Sequence, residues 1–219
     1  TNTLVGALGE YFIAIGDSIV NGSGDHYAAD NQSLRTLSFQ GFSPNLNSLL
    51  DGSLDEPVIV FNEGIGGDES VDTAFNRINS ILARHPDSNR ALVLLGTNDA
   101  LQSSIPSGSG CAGAACNGTF KGNMQSLINT LSTAGKTVSI ALVPPVFGFS
   151  TPFSNPATAA VNTNYVVPYN SVISNELTNR QVGPDLYGYF LGAGTNRFSL
   201  FTDTPVSYTH LRAHETVLD

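Results

Sequence analysis

The stretch that most constrains the fold is residues 11–20, YFIAIGDSIV. Its first half is a short apolar run rich in isoleucine and aromatic residues, which is typical of a buried central strand in a parallel sheet. Gly16 then favours a sharp turn, because it has no β-carbon. A helix that begins just after Ser18 would point its free N–H groups and its positive dipole end at the serine oxygen. That position suits a nucleophile, although a serine N-cap at an ordinary strand–helix junction would give the same pattern.

Beyond this stretch, the chain alternates between apolar runs and segments of helical periodicity. The apolar runs predict further strands at residues 57–62, 91–95 and 137–142 and a short one within 181–191. The periodic segments predict helices at residues 42–50, 69–84, 119–134 and about 168–180. Polar loops are predicted at 21–36, at 100–118 and from the end of the strand at 137–142 up to residue 164. In the helix at 69–84, one predicted buried face consists of Val71, Phe75, Ile78 and Leu82. Strands alternating with helices predict an α/β fold, a three-layer α/β/α domain with a five-stranded parallel sheet.

Composition excludes several classes of function. A chain of 219 residues favours one domain with a full-sized core. The net charge of −9 and the presence of only two lysines, Lys121 and Lys136, argue against a nucleic-acid partner. No apolar run approaches membrane-spanning length, so we expect no stable membrane insertion. Only 12% of the residues are charged, a usage that points to a secreted or periplasmic protein, and we expect a monomer.

The two cysteines, Cys111 and Cys116, lie in one glycine-rich loop, GSGCAGAACNG. In an oxidising compartment they could form a disulfide that closes a small loop, with free thiols as the alternative. A metal site is disfavoured, because two thiols without neighbouring histidine or cysteine supply only half of a zinc ligand set.

Three polar loops follow three successive predicted strands: GDS at 16–18, NEGIGGD at 62–68 and GTND at 96–99. Each alone is ordinary turn chemistry, since Gly, Asn and Asp favour turns. Ligands of parallel α/β sheets, however, bind outside the carboxyl ends of the strands, where all three loops are expected. Together and in this order, the loops resemble blocks I, II and III of the SGNH hydrolases, also called the GDSL esterase/lipase family. The resemblance runs from about residue 11 to residue 203.

The resemblance implies a role for individual residues. Ser18 matches the nucleophile of block I. Gly67 matches the block II glycine whose backbone N–H donates to the oxyanion, with Gly66 as the neighbouring alternative. Asn98 matches the block III asparagine, whose side-chain amide is a further donor, and the N–H of Ser18 completes the oxyanion hole. Acyl transfer develops negative charge on the former carbonyl oxygen, and fixed donors at that point stabilise it.

The resemblance also implies a flavodoxin-like sheet with strand order 2-1-3-4-5. It implies a hydrolase acting on small-molecule carboxylic esters through an acyl-enzyme, with neither a metal nor an organic cofactor. Asp17 and Asp99 are expected to tie their loops together rather than to take part in the chemistry. The chain contains no G-x-S-x-G elbow and no Walker A sequence, so it lacks those signatures of other hydrolase and nucleotide-binding classes.

One motif departs from the family pattern. Block V supplies an aspartate and, three residues later, the histidine that takes the serine proton, with the aspartate orienting the histidine. Asp203 matches the aspartate, but the position of the histidine holds Val206. His210 and His214 lie further along, and His210 is our candidate for a replacement base.

Residues 206–219, VSYTHLRAHETVLD, do not resemble the family. We therefore predict a single SGNH hydrolase-like domain at residues 1–205, truncated before the closing helix of the family, and a non-family tail that is an artefact. Two functions follow. The chain is either a serine esterase, impaired by the missing histidine, or an inactive protein of the same fold that only binds an acyl or glycan ligand.

Overall fold

The computed structural model describes residues 9–22, 41–54, 56–146 and 156–192. The predicted block V residues Asp203, Val206 and His210 lie outside the described residues, as do His214 and the boundary at residue 205.

Five strands form one parallel sheet, and their order is β2-β1-β3-β4-β5, which confirms the predicted fold class and topology. The strands are β1 (Glu10–Gly16), β2 (Val58–Gly64), β3 (Arg90–Leu94), β4 (Thr137–Leu142) and β5 (Gln181–Asp185). In the register of the sheet, Gly16 pairs with Gly64 on one side and with Leu94 on the other. Strands β1, β2 and β3 therefore end at the same level, and the loops that follow them start side by side.

Seven α-helices cover the sheet in the described residues: α1 (Ser18–Asn21), α2 (Ser43–Ser53), α3 (Ile78–Arg84), α4 (Phe120–Thr133), α5 (Pro156–Val161), α6 (Val167–Asn175) and α7 (Leu186–Gly192). Segments with the wider π-helical turn occur at Asp72–Arg77, Asp99–Ser103 and Asn162–Val166, and a short 3₁₀ helix at Gly113–Cys116. The helix α4 has Thr119 as its N-cap, with the hydroxyl accepting the N–H of Gly122. The predicted helices at 42–50, 69–84 and 119–134 are present, whereas α6 ends at Asn175 instead of residue 180, and neither α7 nor the π-helical segment Asp99–Ser103 was predicted. Two further differences have a clear physical reason.

The first difference is the predicted loop up to residue 164. The structure has a helical run that begins at Pro156 and continues through the π segment into α6. Residues 156–164 carry few large apolar side chains, so the sequence shows no stripe there. Apolar residues further along, in α6, hold the run against the sheet, with Tyr169, Val172 and Ile173 fully buried.

The second difference is the buried face of the helix at 69–84. Phe75 was predicted to be buried but is 58% exposed, whereas Thr73, Ala74, Ile78 and Ile81 are buried. The prediction assumed 3.6 residues per turn throughout. The π-helical segment Asp72–Arg77 has wider turns, which rotate the residues before Ile78 relative to those after it.

The two faces of the sheet are covered by different helices. We call the face packed by α3, α4 and α6 the helical face; it takes Ile13, Ile15, Val93 and Ile140 from the strands into the larger core cluster. We call the opposite face, covered by α2 and α7, the grooved face; its smaller cluster contains Ala14, Ile19, Val20, Leu94 and Ala141. Alternation along each strand separates the two sets of side chains.

Candidate active site

Ser18 is the first residue of α1, directly beyond the end of β1, and it is 9% exposed. The N-cap of this helix is Asp17, whose Oδ1 accepts the N–H of Ile19 at 2.8 Å. Ser18 is therefore not the cap, so the alternative interpretation of it as a serine N-cap is wrong. A carboxylate oxygen one residue earlier caps the helix instead, since Asp is as good a cap as Ser.

Gly16 is required by close packing rather than by a left-handed turn. It is not among the glycines with positive φ. A β-carbon at this position would lie 2.3 Å from Cγ2 of Val20 and 2.4 Å from the carbonyl oxygen of Leu94. The expectation that Gly16 relieves a strained turn is thus corrected: the absent side chain lets α1 and β3 approach the end of β1.

The second loop begins at the end of β2 and is joined to the first, because the N–H of Ile65 donates to the carbonyl of Gly16 at 3.0 Å. Within it, Gly67 has a φ of 87°, a left-handed conformation that a side chain would strain. No described residue accepts a hydrogen bond from the Gly67 N–H. The loop thus has an exposed backbone donor at the position that the family resemblance assigns to the oxyanion hole.

The side chain of Asp68 holds this loop to the helical segment that follows it. Its carboxylate pairs with the guanidinium of Arg77 and accepts the Thr73 hydroxyl at 2.9 Å. The same guanidinium donates through Nη2 to the carbonyl of Glu63 at 2.6 Å. Arg77 therefore links both ends of the segment 63–68, and charge-assisted bonds of this kind are stronger than neutral ones.

Asn98, in the third loop, is 1% exposed and immediately precedes the π-helical segment Asp99–Ser103. Its Nδ2 donates to the carbonyl of Asp68 at 3.0 Å, and its Oδ1 accepts from Nε2 of Gln102 at 2.9 Å. An amide nitrogen carries two hydrogens, so one N–H of Asn98 remains for a further acceptor.

Asp99 joins the second and third loops, as predicted. Its two carboxylate oxygens accept the N–H of Ser70 at 3.1 and 3.0 Å, and one of them also accepts the Ser70 hydroxyl. Asn123 of α4 donates to that hydroxyl oxygen at 3.0 Å. Burial raises the pKa of Asp99 to about 6, and the hydrogen bonds from Ser70 oppose that rise.

Asp17 differs from Asp99, because among the described residues its carboxylate accepts a hydrogen bond only within its own turn, from the Ile19 N–H. Its Oδ2 is buried and has no hydrogen-bond partner among the described residues. Burial raises the pKa of Asp17 to about 7, against the lowering effect of the Ile19 N–H. The expectation that Asp17 ties neighbouring loops together is therefore not met by its side chain.

The cysteine loop makes hydrogen bonds to Glu176 and Lys121. Cys111 and Cys116 form a disulfide in the structure, with their α-carbons 5.3 Å apart. Three donors from this region, Ser109 Oγ, Gly110 N–H and Lys121 Nζ, converge on the carboxylate of Glu176 at 2.5, 2.8 and 2.8 Å. The Lys121 side chain, ahead of the other hydrogen bonds, lowers the pKa of Glu176 to about 2.

Three residues that support the site, Ser70, Gln102 and Asn123, were not identified from the sequence. Ser70 and Asn123 are 53 positions apart, so no local pattern connects them. Gln102 lies four positions after Asn98, a spacing at which helical side chains meet, and that spacing could have indicated it.

Within the described ranges, no cluster of three His, Cys, Asp or Glu side chains could hold a metal ion. In the same ranges, no helix has the length and apolar character needed to span a membrane.

A serine just beyond an interior strand of a parallel sheet, with two polar loops beside it, is an arrangement typical of α/β hydrolases. The chain belongs to the GDSL-like lipase/acylhydrolase family, whose sequence profile matches residues 14–213. This match covers the described loops and extends past residue 205, where the family-like domain was predicted to end.

Several solved structures share the fold. The lipase/acylhydrolase from Enterococcus faecalis has a TM-score of 0.60 at 17% identity, with 92% of this chain and 87% of that chain covered. The acetyl xylan esterase AlAXEase has a TM-score of 0.58 at 19% identity, covering 93% and 92%. AlinE4, an SGNH-hydrolase family esterase, has a TM-score of 0.56 at 18% identity, covering 92% and 87%. No curated protein sequence matches the chain.

Proposed function

We propose that this protein is a serine esterase that hydrolyses carboxylic esters through an acyl-enzyme on Ser18. The observation that carries the proposal is the pairing of Gly16 with both Gly64 and Leu94. It starts the loops of Ser18, Gly67 and Asn98 side by side at one end of the sheet. Membership of a family of lipases and acylhydrolases supports an ester as the substrate.

In this proposal, Oγ of Ser18 attacks the ester carbonyl carbon while a base takes the hydroxyl proton. The negative charge that forms on the carbonyl oxygen is stabilised by the N–H groups of Ser18 and Gly67 and by the free N–H of Asn98. Collapse of the tetrahedral intermediate breaks the bond to the leaving alcohol, which receives the proton from the base. Water then attacks the acyl-enzyme by the same route and releases the acid.

The family uses a serine, a histidine base and an aspartate. In this chain the base departs from the family pattern, because the position of the histidine holds Val206, which cannot accept a proton. Asp203 takes the orienting position by family resemblance, and His210 is the candidate base. Without a base, Ser18 remains a protonated alcohol of high pKa. In subtilisin, loss of the triad histidine lowers the rate by a factor on the order of 10⁶. We therefore expect this chain to be a poor esterase.

The second candidate function is ligand binding without catalysis, and Val206 is the observation that favours it. A fluorophosphonate probe separates the two. Rapid stoichiometric labelling of the protein, abolished in Ser18→Ala, supports a working nucleophile. Absence of labelling in correctly folded protein supports the binding protein.

Hydrolysis of a short-chain aryl ester tests the full assignment. Val206→His restores the spacing to Asp203, and we expect it to raise kcat/KM, with a still larger gain when a family closing helix is appended. His210→Ala in the original chain should lower any residual rate. An ordinary esterase rate that survives His210→Ala combined with His214→Ala would overturn our account of the base.

We also propose a secreted or periplasmic location, which the disulfide supports, since such bonds persist in oxidising compartments.

A further inference from the structure

We infer that Gln102 is a positioning residue that fixes the orientation of the Asn98 side-chain amide, so that an N–H rather than the oxygen of Asn98 faces the substrate. The inference rests on the proposed function, in which Asn98 donates to the oxyanion. It assigns a role in the reaction to a side chain outside the family motifs.

The orientation of the Asn98 amide follows from its neighbours. The carbonyl of Asp68 can only accept, so the group 3.0 Å from it is Nδ2. The oxygen of the same amide then faces Gln102, which must present its own donor, Nε2, at 2.9 Å. Rotating the Asn98 amide by 180° would place its Oδ1 against the Asp68 carbonyl and its Nδ2 against the Gln102 donor. Both hydrogen bonds would be lost, and the free N–H would point away from its present direction.

The local backbone puts Gln102 in reach of Asn98. Asn98 precedes the π-helical segment Asp99–Ser103, and Gln102 lies one turn further along it. Asn98 is buried while Gln102 is an exposed residue. Substitutions of Gln102 therefore change the partner of a buried amide without removing a residue from the core.

Three substitutions of Gln102 separate the effect of its hydrogen-bond donation to Asn98 from other effects. Gln102→Met removes the donor, and water can partly replace it, so we expect kcat to fall about tenfold with KM nearly unchanged. Gln102→Glu presents only acceptors at neutral pH and favours the rotated amide, so we expect a fall of about 10²–10³ in kcat, the range for a lost oxyanion donor. Gln102→Lys presents only donors and should recover most of the rate that Gln102→Met loses.

The pH profile of Gln102→Glu is the readout that a structural role would not move. A protonated glutamic acid can donate to Oδ1 of Asn98, whereas the carboxylate cannot. The ratio of kcat in Gln102→Glu to kcat in the original chain should therefore rise as the pH falls from about 8 towards 5. The ratio for Gln102→Met should stay flat over the same range.

Gln125 provides a matched control. Its Nε2 donates to Oδ1 of Asn129, four residues on in α4, at 2.9 Å, and its Oε1 accepts the Thr178 N–H at 2.9 Å, so it makes the same kind of amide contact outside the site. Gln125→Glu and Gln125→Met should leave kcat unchanged. The assay is hydrolysis of a short-chain aryl ester by the full chain carrying Val206→His, which is expected to be more active, with the rate of the same chain carrying Ser18→Ala subtracted. Equal kcat values for the protein with Gln102 unchanged, for Gln102→Met and for Gln102→Glu would overturn the inference.

Failure of the proposed function gives a different result. In that case the hydrolysis rate is the same with and without Ser18, and the orientation is then judged by NMR alone. In the original chain the side-chain NH₂ protons of Asn98 should exchange slowly, and Gln102→Glu should speed their exchange and shift their resonances. Unchanged Asn98 NH₂ signals in Gln102→Glu would overturn the inference whatever the activity.

Discussion

The helical face and the grooved face belong to the same five strands but are covered to different degrees. On the helical face, the apolar side chains of α4, among them Leu127 and Ile128, are fully buried. On the grooved face, a cavity of about 620 Å³ lies between α2 and α7, over Leu92 and Leu94 of β3. Leu49 of α2 borders this cavity and is 42% exposed. Among the described residues, the stability of the domain therefore depends mainly on one face.

The hydrogen bonding of the buried carboxyl groups near the site also differs between the two faces. Asp99 is linked through Ser70 to Asn123, which lies on α4 of the helical face. Asp17 precedes α1, whose Ile19 and Val20 belong to the grooved face, and its Oδ2 has no partner among the described residues. The second and third polar loops are thus braced by the better-packed half of the molecule, while the turn that carries Ser18 is not.

The largest expected difference between the faces comes from a matched pair of leucines on helices. Leu127→Ala on the helical face should lower the free energy of unfolding by about 2–5 kcal/mol, because it removes buried methyl groups and leaves a cavity. Leu49→Ala on the grooved face should cost less than about 1 kcal/mol, because its side chain already contacts solvent. Urea unfolding of both variants at one pH provides the comparison. Equal losses would mean that the groove is covered in solution by something outside the described residues.

Asp17 gives the next largest effect, and it depends on pH. Burial raises the pKa of Asp17 to about 7, so between about pH 4 and 7 the folded state keeps a proton that the unfolded chain has lost. The contribution of Asp17 to stability therefore falls as the pH rises through this window, by about 1.4 kcal/mol per pKa unit of difference. Asp17→Asn cannot ionise. Relative to the original chain, its free energy of unfolding should increase between about pH 4.5 and 8, reaching about 3 kcal/mol.

Asp99→Asn is the comparison for this prediction. Asparagine keeps one acceptor where the Asp99 carboxylate offers two to Ser70, so the variant loses part of a satisfied network. Because the pKa of Asp99 is raised only to about 6, the stability that Asp99→Asn gains relative to the original chain between about pH 4.5 and 8 should be smaller than the gain of Asp17→Asn. An equal or larger gain for Asp99→Asn over that pH range would contradict the contrast between the two carboxyl groups.

The sheet could be predicted from the sequence because each strand is marked by its own short apolar run. The run at 137–142 coincides with β4, and the apolar stretch before Gly16 is the interior strand β1. The three loops were found for a related reason, since each is a short motif at a strand end. Their order along the chain, combined with the right-handed crossover of parallel strands, brings them together without further information.

What the sequence did not predict depends on contacts between distant residues. Ser70 and Asp99 are 29 positions apart and meet only because β2 and β3 flank β1 in the folded sheet. The exposure of Phe75 depends on a π-helical turn, which the apolar pattern does not reveal. The orientation of Asn98 depends on the Asp68 carbonyl, and no property of the residue Asn98 itself specifies it.

Loss of the disulfide should lower the free energy of unfolding by less than Leu127→Ala does. The disulfide closes a short loop that is fastened through Lys121 and Glu176 to α4 and the end of α6. The chain-entropy estimate for so short a loop is about 2 kcal/mol. Cys111→Ser combined with Cys116→Ser should lower the free energy of unfolding by about that amount, and dithiothreitol should have the same effect on the original chain but none on the variant. Two thiols alkylated in unreduced protein from an oxidising compartment would contradict the bond.

The smallest effect that still separates the faces comes from adding volume instead of removing it. Ala91 in β3 is fully buried on the helical face, and Ala141 in β4 lines the cavity of the grooved face. Ala91→Val adds two methyl groups to a filled core and should destabilise the protein by about 1 kcal/mol or more. Ala141→Val adds the same volume beside open space, and both strands favour a β-branched residue, so its cost should be near zero. Because the two substitutions are chemically identical, the difference between their urea midpoints reports packing alone, provided that the slopes agree. A cost for Ala141→Val equal to that for Ala91→Val would show that the grooved face is as tightly packed in solution as the helical face.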